Sequence, residues 1–390
     1  MGRRVAIVGI GQTPHRAQRP DVSVGEMINE AVRAALEDAQ LTIKDIDAVL
    51  CSNMDFFEGY YLSDNIMADY TGAFMKPGFK INTGGTVGGA ASAAAWHHIA
   101  SGLFDTVMTV TYQKQDEPIH TQSALMTISE PTTERMTRGG GNVFAYMAER
   151  YMHETGCTEE HAAMHRVKSD QNALRNPNAH LRLNITVEDV LNSRMLAYPL
   201  RLLHMCPQSS GACVLIMASE EKAKKMAQKP VWYKDHATVF QECWQMTSEP
   251  LPPYVVDSTK TVAAQKLFKA NGITYPRRDL QCMEMYEPAT WCELVWLEDF
   301  LICEKGEAWK LLEKGVWHLE GEFPVNASGG VVATNPIGAT AMVRVAEAAL
   351  QVRGDAGEHQ VTREVRRAIA SSYGGYNWCI LHLLCRSVDD

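Results

Sequence analysis

The sequence contains no long apolar run. No stretch approaches the roughly 20 consecutive apolar residues that a membrane-spanning helix requires. The amino-terminal residues include two arginines, but they lead into a short apolar segment and then polar sequence, without the apolar core and cleavage site of a signal peptide. These absences predict a protein that does not enter a membrane.

The ten cysteines are scattered along the chain, and none forms a C-x-x-C pair. Zinc sites usually show such pairs, whereas small secreted proteins space their cysteines densely for disulfides. We therefore expect reduced cysteines, no bound metal and a cytoplasmic location.

The chain has fewer basic than acidic residues. Lys and Arg number 37 against 46 Asp and Glu, which gives a net charge of −9. A face that binds nucleic acid needs clustered Lys and Arg, so this balance argues against DNA or RNA as a partner.

A glycine pattern that resembles a dinucleotide-binding fingerprint is incomplete. Gly9 and Gly11 follow the first apolar segment, but the third glycine is missing and Pro14 interrupts the expected helix.

The chain is long enough to bury a large core, and a weak internal repeat divides it. Its 390 residues are 46% hydrophobic and 21% charged, as in an ordinary globular protein. Residues 28–52 have the pattern of an amphipathic helix followed by a strand, and residues 262–286 repeat that order. Ser23 and Glu26 have the spacing of a capping box before the first helix. The pattern predicts two similar halves.

A central region interrupts the repeat. Residues 113–200 lack the alternation of strands and helices and include a polar, helix-rich stretch. We predict an amino-terminal half formed by residues 1–112 and 201–230, an inserted loop domain at 113–200, and a carboxy-terminal half at 231–390.

Two glycine-rich loops carry the most specific signal. The first reads Asn-Ala-Ser-Gly-Gly at 326–330, followed by Thr-Asn-Pro-Ile-Gly-Ala-Thr-Ala at 334–341. It resembles the carboxy-terminal active-site loop of the thiolase superfamily, which reads N-x-S-G-G and then G-H-P-x-G-A-[ST]-G. In that family the histidine helps to polarise a thioester carbonyl. Here Asn335 takes its place.

The second loop corresponds to the one that carries the nucleophile in thiolases, where the pattern is N-x-x-C-x-[ST]-G. This chain reads Asn-Thr-Gly-Gly-Thr-Val-Gly at 82–88, which puts Gly85 at the cysteine position. No cysteine occurs between Cys51 and Cys157, so a shift of register does not supply one. The usual acyl-enzyme cannot form on this loop.

The resemblance covers nearly the whole chain. It is greatest to a divergent sterol-carrier-type branch that includes steroid side-chain aldolases and aromatic acyl-CoA thiolases such as benzoylsuccinyl-CoA thiolase. It implies a thiolase fold, five-layered α/β/α/β/α, with an inserted loop domain over coenzyme A. It also implies an acyl-CoA substrate, coenzyme A as part of that substrate or as co-substrate with no permanently bound cofactor, a homodimer, and a small zinc-ribbon/OB-fold partner subunit.

Three side chains are candidate catalytic groups. Tyr286 lies in a segment that resembles the Y-D-x-F segment of the aldolases, in which the tyrosine acts in proton transfer. Asn335 carries an amide that suits a thioester oxygen. The aldolases have a second tyrosine on the loop that here holds Asn335, so Tyr373 is a candidate replacement. Plain core packing for Tyr286 and a turn before proline for Asn335 are the structural alternatives.

Glycines and cysteines supply the remaining candidates. We expect the backbone at four glycines to approach the pantetheine arm or form the oxyanion site, although tight packing would use glycine in the same way: Gly84, Gly85, Gly88 and Gly338. Cys379 and Cys206 are candidate alternative nucleophiles, and both also fit small buried residues. Trp96, Trp291, Trp296 and Met285 are candidates for an apolar acyl pocket or for plain core.

The surviving groups favour one reaction. Retro-aldol cleavage of a 3-hydroxyacyl-CoA needs a base for the hydroxyl proton and donors for the enolate, but no covalent nucleophile. Our first hypothesis is therefore a cysteine-independent retro-aldol enzyme. The alternatives are a divergent thiolase acting on a bulky or aromatic 3-oxoacyl-CoA, and an inactive scaffold that binds acyl-CoA and a partner.

Overall fold

A computed structural model describes residues 2–58, 64–117, 140–226, 229–240, 258–374 and 378–390. In these ranges the strands are β1 (Val5–Gln12), β2 (Ala48–Ser52), β3 (Gly78–Ile81), β4 (Thr106–Gln113), β5 (Met195–Ala197), β6 (Leu200–Arg201), β7 (Gly211–Ser219), β8 (Val231–Val239), β9 (Cys282–Glu284), β10 (Arg367–Gly374) and β11 (Trp378–Cys385).

The α-helices are α1 (Val24–Ala39), α2 (Asp55–Glu58), α3 (Asp64–Thr71), α4 (Val87–Ala100), α5 (Gly140–Thr155), α6 (Glu159–Ala173), α7 (Val187–Asn192), α8 (Glu220–Ala223), α9 (Thr259–Ala270), α10 (Pro276–Asp279), α11 (Thr290–Asp299), α12 (Ala308–Glu313) and α13 (Ile337–Arg353). None of these helices is both long enough and apolar enough to cross a membrane.

Nine of the strands form one sheet, in the order β3-β2-β4-β7-β1-β8-β11-β10-β9. In the first half, β2 is parallel to β3 and β4, and β7 is antiparallel to β4 and β1. The second half repeats this pattern: β9 is parallel to β10 and bridges in parallel to Val325, and β11 is antiparallel to β10 and β8. The antiparallel pair of β1 and β8 joins the halves.

The helices complete the layers. Helices α4 and α13 pack on each other and contact strands of both halves, so they form the central layer. Helix α1 covers the first half of the sheet through β1 and β7, and α9 covers the second half through β8 and β11. The arrangement is α/β/α/β/α, which confirms the predicted fold of two similar halves.

Local sequence explains how the first outer helix begins and which face it buries. The Ser23 side chain accepts a hydrogen bond from the Glu26 N–H, and the Glu26 carboxylate accepts one from the Ser23 N–H, so the predicted capping box is present. Met27, Ile28, Ala31 and Ala35 recur at helical spacing and are buried. Burial of this stripe holds α1 against the sheet.

Helices α5, α6 and α7 and the small hairpin of β5 and β6 lie between β4 and β7 in the chain. This part of the chain corresponds to the predicted insertion at 113–200. Residues 118–139 of it lie outside the described residues. The boundaries that we gave for the two halves and the insertion stay predictions.

Glycine sets the distance between the two central helices. A Cβ atom added to Gly88 would lie 2.6 Å from the backbone nitrogen of Met342 in α13. A contact this short with backbone atoms cannot be relieved by a side-chain rotation, because the backbone of a helix is fixed by its own hydrogen bonds. Gly88 therefore permits the close approach of α4 to α13.

We predict that Gly88→Ala lowers the melting temperature. Alanine is the better helix former by up to about 1 kcal/mol, but overpacking of a tight core contact costs about 1–3 kcal/mol. Gly141→Ala in α5 is the matched control, since a Cβ there meets no atom of the described residues within 4 Å. Thermal unfolding of both variants, followed by circular dichroism, checks this. A Gly88→Ala protein as stable as Gly141→Ala would show that the helices have room.

Candidate active site

The two glycine-rich loops meet at the starts of the central helices. Residues 82–86 lead directly into α4, and residues 334–336 lead directly into α13. Val87 at the start of α4 and Ile337 at the start of α13 belong to the same small hydrophobic cluster, so both helix N-termini lie at one place in the fold. The unpaired N–H groups and dipoles at these ends favour negative charge. The same place is therefore suited to an oxygen that gains charge during a reaction.

Gly85 stands at the cysteine position of the thiolase-like pattern at 82–88, and it is buried. A Cβ atom at this residue would lie 2.7 Å from the carbonyl oxygen of Tyr373 and 3.5 Å from the hydroxyl oxygen of Tyr286. The backbone of Tyr373 therefore closes the space that a side chain would need. A phenol hydroxyl faces the position from which a cysteine would act.

Asn335 is held by both its backbone and its side chain. Its N–H donates to the Ser209 hydroxyl at 3.0 Å, and its Oδ1 accepts from the Thr340 hydroxyl at 2.7 Å. The amide Nδ2 donates to the Cys206 sulfur at 3.2 Å. Since Thr340 fixes the direction of the amide, Nδ2 is the atom that faces the site. Its second N–H is a donor of the kind that an oxyanion requires.

Cys206 is brought to the Asn335 amide by this contact, whereas Cys379 pairs across the sheet with Tyr373. Burial raises the pKa of the Cys206 thiol to about 12, although the bond from Asn335 acts in the opposite direction. The thiol is therefore neutral at physiological pH and a poor nucleophile. Cys379 is buried in β11 opposite Tyr373, and burial raises its pKa to about 12 as well.

Tyr286 lies just beyond the end of β9 and is buried. Its N–H donates to the Ser371 hydroxyl at 3.0 Å, and its ring packs with Val331 and Ala341. Burial raises the pKa of the Tyr286 phenol well above its usual value, with a smaller contribution from Cys206, while hydrogen bonding with Thr340 opposes the rise. The phenol is protonated at neutral pH, so in the free protein it is a proton donor.

Tyr373 connects the site to an aromatic cluster. Its ring meets Tyr286 edge-on with centroids 6.2 Å apart and lies 4.9 Å from Trp296 and 6.5 Å from Phe144. Trp291 and Met285 are fully buried, and Trp96 donates from its indole nitrogen to the backbone of β8. Of the four residues named as candidates for an acyl pocket, Trp296 is the one with an aromatic contact to Tyr373.

The other glycines have different surroundings. Gly84 is exposed in the turn before α4, and its carbonyl accepts from the Val87 N–H at 3.0 Å. A Cβ at Gly338 would lie 2.3 Å from the Gln113 side chain and 2.7 Å from the Tyr112 carbonyl. Close packing alone therefore accounts for glycine at 338, as it does at 88. The structure brings Gly85, Tyr286, Asn335, Tyr373 and Cys206 together.

Glu287 is a buried acid beside the site that we did not single out from the sequence. One carboxylate oxygen accepts from the Val331 N–H at 2.8 Å, and the other, Oε2, has no hydrogen-bond partner among the described residues. Burial, with the nearby charge of Glu293, raises the Glu287 pKa to about 8. The signal in the sequence is a pair of acidic residues, Glu284 and Glu287, within the otherwise uncharged stretch at 283–289.

Glu287 belongs to a buried group with His165 and Glu293, whose ligand atoms lie within 4.8 Å of one another. Such a set could hold a metal ion, but the Glu293 oxygens already have other partners. His165 lies 2.9 Å from one of them, Asn326 donates to the same oxygen at 3.1 Å, and Lys168 bonds the other. Burial opposes ionisation of Glu293, yet His165 and Lys168 hold its pKa at about 2. The bonds support a charge-compensated network.

Comparison with known proteins identifies relatives along the whole chain. Residues 5–190 match the family described as Thiolase, N-terminal domain, and residues 242–381 match the one described as Thiolase C-terminal domain-like. The acetyl-CoA acetyltransferase of Methanothermobacter thermautotrophicus is 33% identical over 364 residues, covering 92% of this chain and 93% of that protein.

Two further relatives have different names. The benzoylsuccinyl-CoA thiolase subunit BbsB of Thauera aromatica is 28% identical over 378 residues, covering 96% of this chain and 95% of that protein. A chain of the solved Ltp2-ChsH2(DUF35) aldolase superposes with a TM-score of 0.83 at 26% identity, covering 99% of this chain and 98% of that one. One relative is named a thiolase and the other an aldolase.

We predict that the wild-type protein loses stability as the pH rises from 5 to 8, and that Glu287→Gln loses less. An acid whose folded pKa is raised from 4.5 to about 8 binds its proton more tightly in the folded state, so stability falls as pH rises through this interval. The contribution is about 3 kcal/mol. Glutamine keeps an oxygen for the Val331 N–H but cannot ionise. Melting temperatures measured from pH 5 to pH 8 test this, and parallel profiles for both proteins would contradict it.

Proposed function

The chain belongs to the thiolase superfamily, and we propose that it cleaves the C2–C3 bond of a 3-hydroxyacyl-CoA by a retro-aldol reaction without a cysteine nucleophile. As a member of this superfamily it is an acyl-CoA enzyme. The observation that supports the finer proposal is at Gly85, where the Tyr286 hydroxyl faces the position from which a nucleophile would act. Tyr286 is a proton-transfer group at the place where thiolases keep a thiol.

The reaction requires two proton transfers and one site for negative charge. The substrate hydroxyl loses its proton, the C3–O bond becomes a carbonyl, and the electrons of the C2–C3 bond pass to C2 and the thioester oxygen. The resulting enolate of the shorter acyl-CoA then takes a proton at C2. Products are an aldehyde or ketone and an acyl-CoA, and no free CoA is consumed.

Asn335 and the loop around Gly84 and Gly85 are the groups that we assign to the thioester oxygen. The Asn335 amide is directed by Thr340, and it carries no charge that would have to be neutralised. The N–H groups at the start of α4 add further donors beside it. Donors held in place before the reaction stabilise the enolate more than water does.

Tyr286 and Tyr373 are the groups that we assign to proton transfer. Because burial keeps the Tyr286 phenol protonated, it suits the delivery of a proton to C2. The second proton, from the substrate hydroxyl, then needs a separate acceptor. Tyr373 meets Tyr286 edge-on in the same cluster, so we assign it that role: its hydroxyl takes the substrate proton and passes its own proton to the phenolate that Tyr286 becomes, which restores both phenols.

A thiolase reaction is the second candidate, and the contact between Asn335 and Cys206 favours it. A thiol 3.2 Å from a fixed amide donor has the elements of an acyl-transfer site. BbsB, which is named as a subunit of a thiolase, also resembles the chain over nearly its whole length. The raised pKa of Cys206 argues against this reading, because the thiol would first have to lose its proton.

Partners are part of the proposal. The Ltp2-ChsH2(DUF35) aldolase has a second component in its name, and we propose a small zinc-ribbon/OB-fold subunit for this chain as well.

We also propose that the chain forms a homodimer. Strand β3 lies at an edge of the sheet, and Phe74, Met75 and Phe79 on it or just before it are exposed. No other described strand pairs with this edge, and apolar groups beside an unpaired edge favour association. Light scattering gives the mass that tests the homodimer.

Mass spectrometry of products distinguishes the reactions. The chain, co-expressed with its small subunit, is given 3-hydroxyacyl-CoAs and 3-oxoacyl-CoAs of several sizes, with and without free CoA. We expect a hydroxy substrate to yield a carbonyl compound and a shorter acyl-CoA without added CoA. Cleavage of oxo substrates alone, with one CoA consumed for each bond broken, would establish the thiolase reaction. Binding without any turnover would support the inactive scaffold.

We predict that Tyr286→Phe lowers turnover by roughly 100- to 10,000-fold, the range for loss of a group that transfers a proton. The phenyl ring keeps the packing against Val331 and Ala341, so CoA binding should persist. Tyr275→Phe is the control, because Tyr275 is 59% exposed at the start of α10. Single-turnover rates and CoA affinities are measured for both. A fully active Tyr286→Phe enzyme would refute the assignment.

A further inference from the structure

Lys260 is buried and has no counter-ion in the part of the chain that the structure describes. The residue is 3% exposed, and it forms neither a hydrogen bond nor an ion pair with any group in the described ranges. Lysine is almost never this deeply buried without a partner, because removal of a charge from water is costly. The proposed reaction gives Lys260 no role.

The ammonium group of Lys260 lies among the aromatic rings beside the site. Its Nζ is 4.5 Å from the centre of the Trp296 ring and 5.3 Å from that of Tyr373. Contacts with ring faces recover part of the lost hydration. They give the three N–H donors of the ammonium no acceptor, and none is found for them among the described residues.

The acid at the end of the helix that packs on α9 does not neutralise this charge. Asp299 lies at the end of α11, but its carboxylate already pairs with Lys305 at 2.5 Å. The backbone carbonyl of Asp299 accepts a hydrogen bond from the Thr261 hydroxyl. Lys260 is also in the first turn of α9, where no acidic residue is present. A helix N-terminus already favours negative charge. Across the described ranges, the surroundings of Lys260 therefore lack an anion.

We infer that Lys260 binds a carboxylate carried by the acyl part of the substrate. The inference rests on the proposed acyl-CoA site at Tyr286 and Tyr373. The carbonyl of Tyr373 borders the Gly85 position, so Lys260 lies at the reacting end of the substrate. The phosphates of coenzyme A are separated from the thioester by the whole pantetheine arm. The anion near Lys260 therefore belongs to the acyl group.

The surrounding rings define the rest of that acyl group. The Trp296 and Tyr373 rings lie beside the ammonium, and Phe144 packs against Tyr373, so the surroundings are apolar. A ligand that satisfies both features has a hydrophobic body and one carboxylate. An ion pair formed out of water, against these rings, discriminates strongly between an acid and its neutral analogue.

Binding of unreactive thioesters tests the inference separately from the reaction. Isothermal titration compares succinyl-, glutaryl- and adipyl-CoA with butyryl-, pentanoyl- and hexanoyl-CoA on the full chain. None of these has a 3-hydroxy or 3-oxo group, so neither proposed cleavage takes place. For at least one chain length we expect the acid to bind about tenfold more tightly or better.

Variants identify the group responsible. In Lys260→Met the ratio of the two dissociation constants should fall to near one, whereas Lys260→Arg should keep a preference for the acid. Lys266→Met is the matched control, because Lys266 is exposed on the same helix, and it should keep the wild-type ratio.

Three results would overturn the inference. The first is equal binding of acids and neutral analogues by the wild-type chain at every length, which leaves the proposed reaction standing. The second is a preference that persists in Lys260→Met, which assigns recognition to another group. The third is absence of binding for every CoA thioester, which removes the proposed function together with the inference. The wild-type ratio decides even if a variant fails to fold.

Discussion

The contact between the two central helices is the constraint on which the site depends. Helices α4 and α13 begin at the two loops that carry Gly85 and Asn335, and Gly88 lets them approach to backbone distance. A bulkier residue at this contact would push the loops apart. Because each helix also packs against strands of both halves, the distance between the loops is fixed by the whole core. The position of the reacting groups is therefore a property of the fold.

Polar contacts beneath the loops fix the second half of the site. Asn326 has a left-handed backbone (φ 54°), and its side chain accepts from the Met285 N–H at 2.6 Å while donating to Glu293. Arg344 of α13 bonds both Glu284 and Ser328 at 2.7 Å. These bonds connect the end of β9, the loop at 326–330 and α13. Buried charges are tolerated here because each has partners of opposite sign.

The sequence predicted the fold and the two loops because both have local signatures, whereas the surroundings of single residues do not. Helix and strand periodicity showed the repeat, and the glycine patterns located Gly85 and Asn335. The approach of Cys206 to Asn335 joins residues 129 positions apart, and the packing of Gly88 depends on a helix far along the chain. Burial of Lys260 and Glu287 likewise depends on tertiary structure. A charged residue in a sequence gives no sign of whether its partner is present.

The antiparallel pair of β1 and β8 has a mechanical consequence. Val5, Ala6 and Ile7 pair with β8 while β1 also pairs with β7, so both halves share one hydrogen-bonded ladder. A hinge that opened the molecule between its halves would have to break this ladder at its centre. Separation of the two halves is therefore disfavoured as a way to admit a substrate. Cutting the chain into two pieces would likewise leave each with a bare strand edge prone to aggregation.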